Sequence, residues 1–256
     1  MARPDWTRRI EAPLAGSGLF LRGAFHPRPE DAVPPLSDGR AAGTVALIGN
    51  AGNDLWRAFR AGDPDMAARH PLDHWVAGYL RAAADALDAE LVDAMRPPWP
   101  PIQQWAVRAG AGHRAPINLV IHPEYGLWHT FRGALLTAEK LPLPEAPALD
   151  NPCETCAGKP CLTTCPADAF ALPETKTETG NETGNETGGG TFADFDPPAC
   201  VDHVESPAGR GCRTAGCLAR RACPVGRPWA YDREPAAYHM AAVVATVRRW
   251  QARRAG

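Results

Sequence analysis

Cys153-Glu-Thr-Cys156-Ala-Gly-Lys-Pro-Cys161-Leu-Thr-Thr-Cys165-Pro166 is the stretch that decides how this chain is read. It holds four of the eight cysteines, and none occurs in the first 152 residues. The other four follow at Cys200, Cys212, Cys217 and Cys223, the last again followed by a proline, Pro224. Gaps of two and four residues let one short, tightly turning segment deliver three thiolates to one centre. The fourth cysteine precedes a proline that disfavours continuation of the same turn. Its thiol therefore points away from its neighbours, towards a second centre.

Eight thiolates match the requirement of two four-iron clusters. The order is similar to the bacterial ferredoxin run C-x2-C-x2-C-x3-C-P, in which the fourth cysteine ligates the other cluster. Here the third cysteine is displaced by two residues, and the terminal Cys-Pro is kept. On that logic Cys153, Cys156, Cys161 and Cys223 hold one 4Fe-4S cluster, and Cys165, Cys200, Cys212 and Cys217 hold the other. Two four-cysteine zinc sites are the main competing assignment, since C-x2-C and C-x4-C pairs also suit tetrahedral sulfur ligation. Zinc sites do not call for paired Cys-Pro endings. Four disulfides are disfavoured if the protein is cytoplasmic. That location is the expectation, because the polar start Met1-Ala2-Arg3-Pro4-Asp5 has no secretory apolar core behind it.

Of 256 residues, 45% are hydrophobic and 22% charged, the composition of an ordinary folded protein. The longest apolar runs, such as 241–247, are far short of a bilayer-spanning helix, so no membrane association is expected. A net charge of -2 and a pI near 6.4 give no general attraction to nucleic acid. Arg210, Arg213, Arg220, Arg221 and Arg227 lie among the second set of cysteines. They compensate the negative charge of thiolate-ligated clusters or form a docking rim for an acidic redox partner. A further basic run, Arg248, Arg249, Arg253 and Arg254, closes the chain.

Residues 18–25, 44–48 and 118–122 read as strands. A helix is expected to carry Leu55, Trp56 and Phe59 on one face, and another to run from Pro71 to Leu91 on helical spacing. The proline cluster 97–101 ends that region. A short helix follows over 102–109, then a helix over 127–140 on the spacing of Trp128, Phe131, Leu135 and Leu136. The proline-rich segment 141–147 reads as a stiff linker. The expected organisation is an α/β N-terminal domain over residues 1–148, an α+β ferredoxin-like dicluster domain over 149–232, and a C-terminal helix over 233–256. Within the second domain, residues 173–190 include the polar repeat of 177–188 and read as a solvated low-complexity loop.

Other segments carry a family likeness: Trp105-Ala-Val-Arg-Ala-Gly-Ala-Gly112, Ile117-Asn-Leu-Val-Ile, Gly126-Leu-Trp128, Leu141-Pro-Leu-Pro144 and Phe195-Asp-Pro-Pro-Ala-Cys200. Together with the two Cys-Pro sets they make the chain resemble the epoxyqueuosine reductase family of cobalamin-dependent iron-sulfur reductases, most clearly over residues 102–225. The resemblance implies a corrinoid-binding α/β domain ahead of a two-cluster ferredoxin domain, an oxidoreductase activity, and contact with tRNA if the tRNA-modifying activity is retained. Residues 96–101 hold no Asp or Glu where that family carries an acid, and Arg114-Ala115-Pro116 replaces its Gly-Lys pair.

If the first domain binds a cofactor, His113, His122, Tyr125, His129 and Arg132 are the side chains expected to face it, since histidine ligates metals or moves protons near neutral pH. The ordinary alternative is that they are hydrogen-bonded neighbours of a core edge. His203 could tune a cluster by a hydrogen bond. Three functions follow: electron transfer through two 4Fe-4S clusters to a redox partner protein or small-molecule acceptor, a reductase in which the clusters feed cobalamin, or a zinc-stabilised interaction module.

Overall fold

The fold is taken from a computed structural model, which describes residues 4–143, 145–146, 148–172 and 192–255. The repeat of 177–188 lies outside them. In chain order the elements begin α1 (Asp5–Leu14), β1 (Phe20–Phe25), β2 (Thr44–Ala51), α2 (Asp54–Ala61), α3 (Pro71–Leu87), β3 (Glu90–Asp93), α4 (Ile102–Arg108), β4 (His113–Arg114), β5 (Val120–Ile121) and β6 (His129–Thr137). The cysteine-bearing remainder contains α5 (Pro160–Thr163), β7 (Phe170–Ala171), β8 (Asp194–Phe195), α6 (Pro197–Glu205), α7 (Arg210–Ala215), α8 (Leu218–Ala222) and α9 (Arg233–Ala255).

The centre is a four-stranded sheet in the order β1-β2-β6-β3, with every pairing antiparallel. One face packs Ala46, Ile48 and Leu135 against Ile10 and Leu14 of α1, Phe59 of α2 and Leu72, Val76 and Leu80 of α3. The other packs Val45, Leu47 and Leu136 against Trp105 and Ala106 of α4. Because both faces are covered, β2 is buried along its whole length and β6 at all positions but Thr130.

That double burial corrects two expectations. The segment expected as a helix over 127–140 is β6, the long strand paired on both sides by β2 and β3. A strand buried on both faces loses its period-2 alternation, and its near-continuous apolar run mimics helical spacing. The helix expected to reach Leu91 ends at Leu87, where Asp88 adopts a left-handed conformation with φ 55°, and Leu91 pairs with Leu135 in the sheet. The alternation of strands and helices therefore builds no parallel sheet.

The start of the proline-rich segment is held in place, since Trp6 Nε1 donates to the Pro142 carbonyl at 2.8 Å and Leu141 is buried. The closing helix forms as expected and touches both halves. It packs on α6 and α7, while Tyr238 lies 4.9 Å from Trp56 between ring centroids and Glu234 accepts from Trp56 Nε1 at 3.1 Å.

Leu135 is fully buried at the centre of the sheet, whereas Val107 is 40% exposed on α4. We expect Leu135→Ala to cost about 2–5 kcal/mol in urea denaturation, and Val107→Ala to change stability by less than about 0.5 kcal/mol.

Candidate metal centres

Short helices and tight turns set the direction of each thiol. Lys159 takes a left-handed φ of 34°, and Pro160 opens α5, so that Cys161 turns inward and is buried. Asp196 caps α6 by accepting from the Ala199 amide at 2.9 Å, and Cys200 lies one turn into that helix. Cys212 is on α7, which stops at Gly216 with φ 77°; Cys217 caps the start of α8, and Cys223 its end in an extended conformation ahead of Pro224.

All eight cysteines are free thiols, so the disulfide alternative is not realised. They line two separate cavities. One, of about 20 Å³, is bordered by Cys153, Cys156, Cys161 and Cys223 and backed by Ala115, Ile121 and Leu127. The other, of about 370 Å³, is bordered by Cys165, Cys200, Cys212 and Cys217 and backed by Val204 and Met240. Among the described residues, no three His, Cys, Asp or Glu side chains gather in a way that would hold a single metal ion.

The thiols' mutual repulsion follows the same division. Burial pushes Cys153 up to about 11, and Cys223, Cys161 and Cys156 add to the rise. Burial likewise pushes Cys200 up to about 11, helped by Cys217, Cys165 and Cys212. Burial raises Cys161, Cys212, Cys217 and Cys223 as well. Cations work the other way: Arg213 favours the thiolate of Cys212, Arg220 that of Cys217, and Arg227 that of Cys223.

These arginines are also clamps. Arg220 Nε donates to the Leu127 carbonyl at 2.8 Å, and its guanidinium lies 4.7 Å from the ring centroids of both Trp128 and Tyr231. Arg221 donates to the Tyr231 carbonyl at 2.7 Å, and Arg213 to the Ser206 carbonyl at 2.8 Å. The cysteine-bearing segment is thereby tied to the start of β6. Gly126 completes the seam, with φ 56° and backbone so close to Val225 that a Cβ has no room.

The expected cofactor-facing residues do not share one place. His122, Tyr125 and His129 gather, with His122 stacked on Tyr125 at 4.3 Å and both 6.4 Å from His129. His122 Nδ1 accepts from the amides of Glu124 and Tyr125 at 3.1 and 3.3 Å. His129 is buried with neither ring nitrogen hydrogen-bonded. His113 is engaged with the Leu149 carbonyl at 2.8 Å, and Arg132 is buried in a different cavity beside Asn50. Of the five, only Tyr125 borders the open groove of about 500 Å³ that it lines with Phe20 and Trp229. His203 lines the second thiol cavity.

Sequence reading missed Arg22. It is buried, and three rings surround its guanidinium: Tyr125 and Phe131 at 5.1 Å and Phe20 at 5.2 Å. An arginine inside an apolar strand segment was the available signal.

The chain is similar in fold to epoxyqueuosine reductases. A selenomethionine-labelled epoxyqueuosine reductase superposes with a TM-score of 0.48 at 14% identity, covering 90% of this chain and 67% of that one. The Bacillus subtilis enzyme gives 0.48 at 15%, with the same coverage. An epoxyqueuosine reductase solved with an epoxyqueuosine-modified tRNA-Tyr stem loop gives 0.48 at 14%, again over 90% and 67%. No protein-family model matches the chain, and no curated protein matches it. Among the described residues no helix is long and apolar enough to cross a membrane.

Burial, followed by the charge of Arg22, holds His129 well below its usual range, and the same two causes lower His122 to about 4. The folded chain keeps both rings neutral, whereas the unfolded chain protonates them near pH 6.5. Unfolding therefore takes up protons below that pH. The stability they contribute is complete above about 6.5 and is lost as pH falls towards about 4. We expect the urea midpoint to fall between pH 7 and 5, with a shallower slope in His129→Phe; parallel slopes would exclude the assignment.

Proposed function

We propose that this protein is an iron-sulfur electron carrier of the ferredoxin type, binding two 4Fe-4S clusters. The observation that supports this reading most is the crossed grouping of thiols. Cys223 joins Cys153, Cys156 and Cys161 around one cavity, and Cys165 joins Cys200, Cys212 and Cys217 around the other. A ferredoxin run needs that exchange. Single zinc ions need four sulfurs drawn to about 2.3 Å from one point, and among the described residues no three of these thiols gather so closely.

When bound, the clusters supply one-electron chemistry. The chain supplies thiolates, nearby guanidinium groups that offset the accumulated charge, and apolar backing that limits water. Leu119, Phe195 and Val243, all lining the second cavity, are 36 to 42% exposed. They offer a contact face for a redox partner or small-molecule acceptor.

The reductase reading ranks second and rests on the groove beside Tyr125, Phe20 and Trp229. Of the expected histidines, His113 and His122 are engaged with backbone groups and His129 is buried. Cobalamin retained by the anaerobic protein through gel filtration, and lost in Trp229→Ala, would shift the balance to this reading.

Paired substitutions test the partition. With crossed ligation, Cys153→Ala combined with Cys223→Ala removes one cluster and leaves about four irons per chain. Cys153→Ala combined with Cys165→Ala removes both. If each Cys-Pro set held its own cluster, the two outcomes would exchange.

A further inference from the structure

Behind the sheet, on the side of α3 and α9, lies a small cavity lined by Asn50, Leu72, Arg132, Tyr231, Pro235 and His239. Its room is that of a single particle of about water's size. Arg132 is only 2% exposed, and one guanidinium nitrogen, Nη2, has no hydrogen-bond partner. Its Nε donates to Asn50 Oδ1 at 3.0 Å. Among the described residues no carboxylate forms an ion pair with it. Asp73 is the carboxylate that acts on it through space, and Asp73 stands 3.9 Å from His70 instead.

A buried guanidinium is retained when something offsets its charge. Arg22, bonded to the Asn50 carbonyl at 3.3 Å, has three aromatic faces for that purpose. Arg132 has none. A water molecule could accept from Nη2 but would leave the charge uncompensated. The remaining wall favours an anion too. Arg132 and Arg220 both disfavour protonation of His239, though burial is the larger cause, and both favour the anionic form of Tyr231 against its burial. The Tyr231 hydroxyl lies 3.3 Å from Thr130 Oγ1.

We propose that this cavity is a binding site for one small monatomic anion of the halide class, held by Arg132 with Tyr231 and Asn50 beside it. The small room selects by size: acetate, phosphate and sulfate are too large for a space of about one water molecule. The ion joins β2 through Asn50, β6 through Arg132 and the segment leading into α9 through Tyr231, so binding stabilises the docking of the last helix on the sheet. The site is independent of what occupies the thiol cavities.

The test uses the full chain, prepared anaerobically in a halide-free buffer, with thermal unfolding followed at constant ionic strength. Sodium chloride and bromide should raise the midpoint saturably, and acetate and phosphate should not. Tyr231→Phe keeps the ring and should weaken the apparent chloride affinity about tenfold, the loss of one hydrogen bond to a charged group. Arg132→Met should abolish the response; if that variant does not fold, Tyr231→Phe decides. Crystals of the full chain soaked in bromide should show one anomalous peak beside Arg132. Equal stabilisation by all four salts, a chloride response unchanged in Tyr231→Phe, or no bromide peak at Arg132 would overturn the proposal.

Discussion

Thiols crowded around a shared cavity repel one another as thiolates, and two such quartets constrain this molecule more than any other feature. Burial and mutual repulsion hold the protons on, as the raised thiols of Cys153 and Cys200 show. The arrangement persists because the chain around it is stiff: prolines at 160, 166, 197 and 224, helices of a turn or two, and guanidinium groups bonded to backbone carbonyls. A multivalent iron centre would reverse the electrostatics, turning four repelling groups into four ligands.

The sheet matters to that site through a narrow seam. Leu127, Trp128 and His129 run from the wall of the first thiol cavity into β6. Arg220 binds the first of these and is sandwiched by the second, and Gly126 sits against Val225, just beyond Cys223-Pro224. Movement of the cysteine segment is thus resisted by a strand buried at every position but Thr130. The last helix closes the arrangement from the other side, reaching Trp56 at one end and the backing of the second cavity at Met240.

How much of this was legible depended on what kind of signal each segment carried. Cysteine spacing followed by proline is a geometric signal; in the structure Cys153, Cys156, Cys161 and Cys223 line one cavity and Cys165, Cys200, Cys212 and Cys217 the other. Amphipathic helices such as α2 and α3 were legible because solvent keeps one face polar. Strand β6 was not, since Phe131, Ala134, Leu135 and Leu136 fill both sides of a covered sheet and leave no alternation to detect. Of the first-domain candidates, His122, Tyr125 and His129 are neighbours, but Arg132 was grouped with them on chain proximity alone. Adjacent residues on a strand face opposite sides, and Arg132 opens onto the side away from Phe131.

The claim that the quartets hold iron-sulfur clusters meets its most direct test in elemental analysis of anaerobically isolated protein, with iron, acid-labile sulfide and zinc measured on one sample. The account predicts about eight irons and eight sulfides per chain, little zinc, and visible absorbance that bleaches with dithionite. Two zinc ions per chain with no labile sulfide would contradict it.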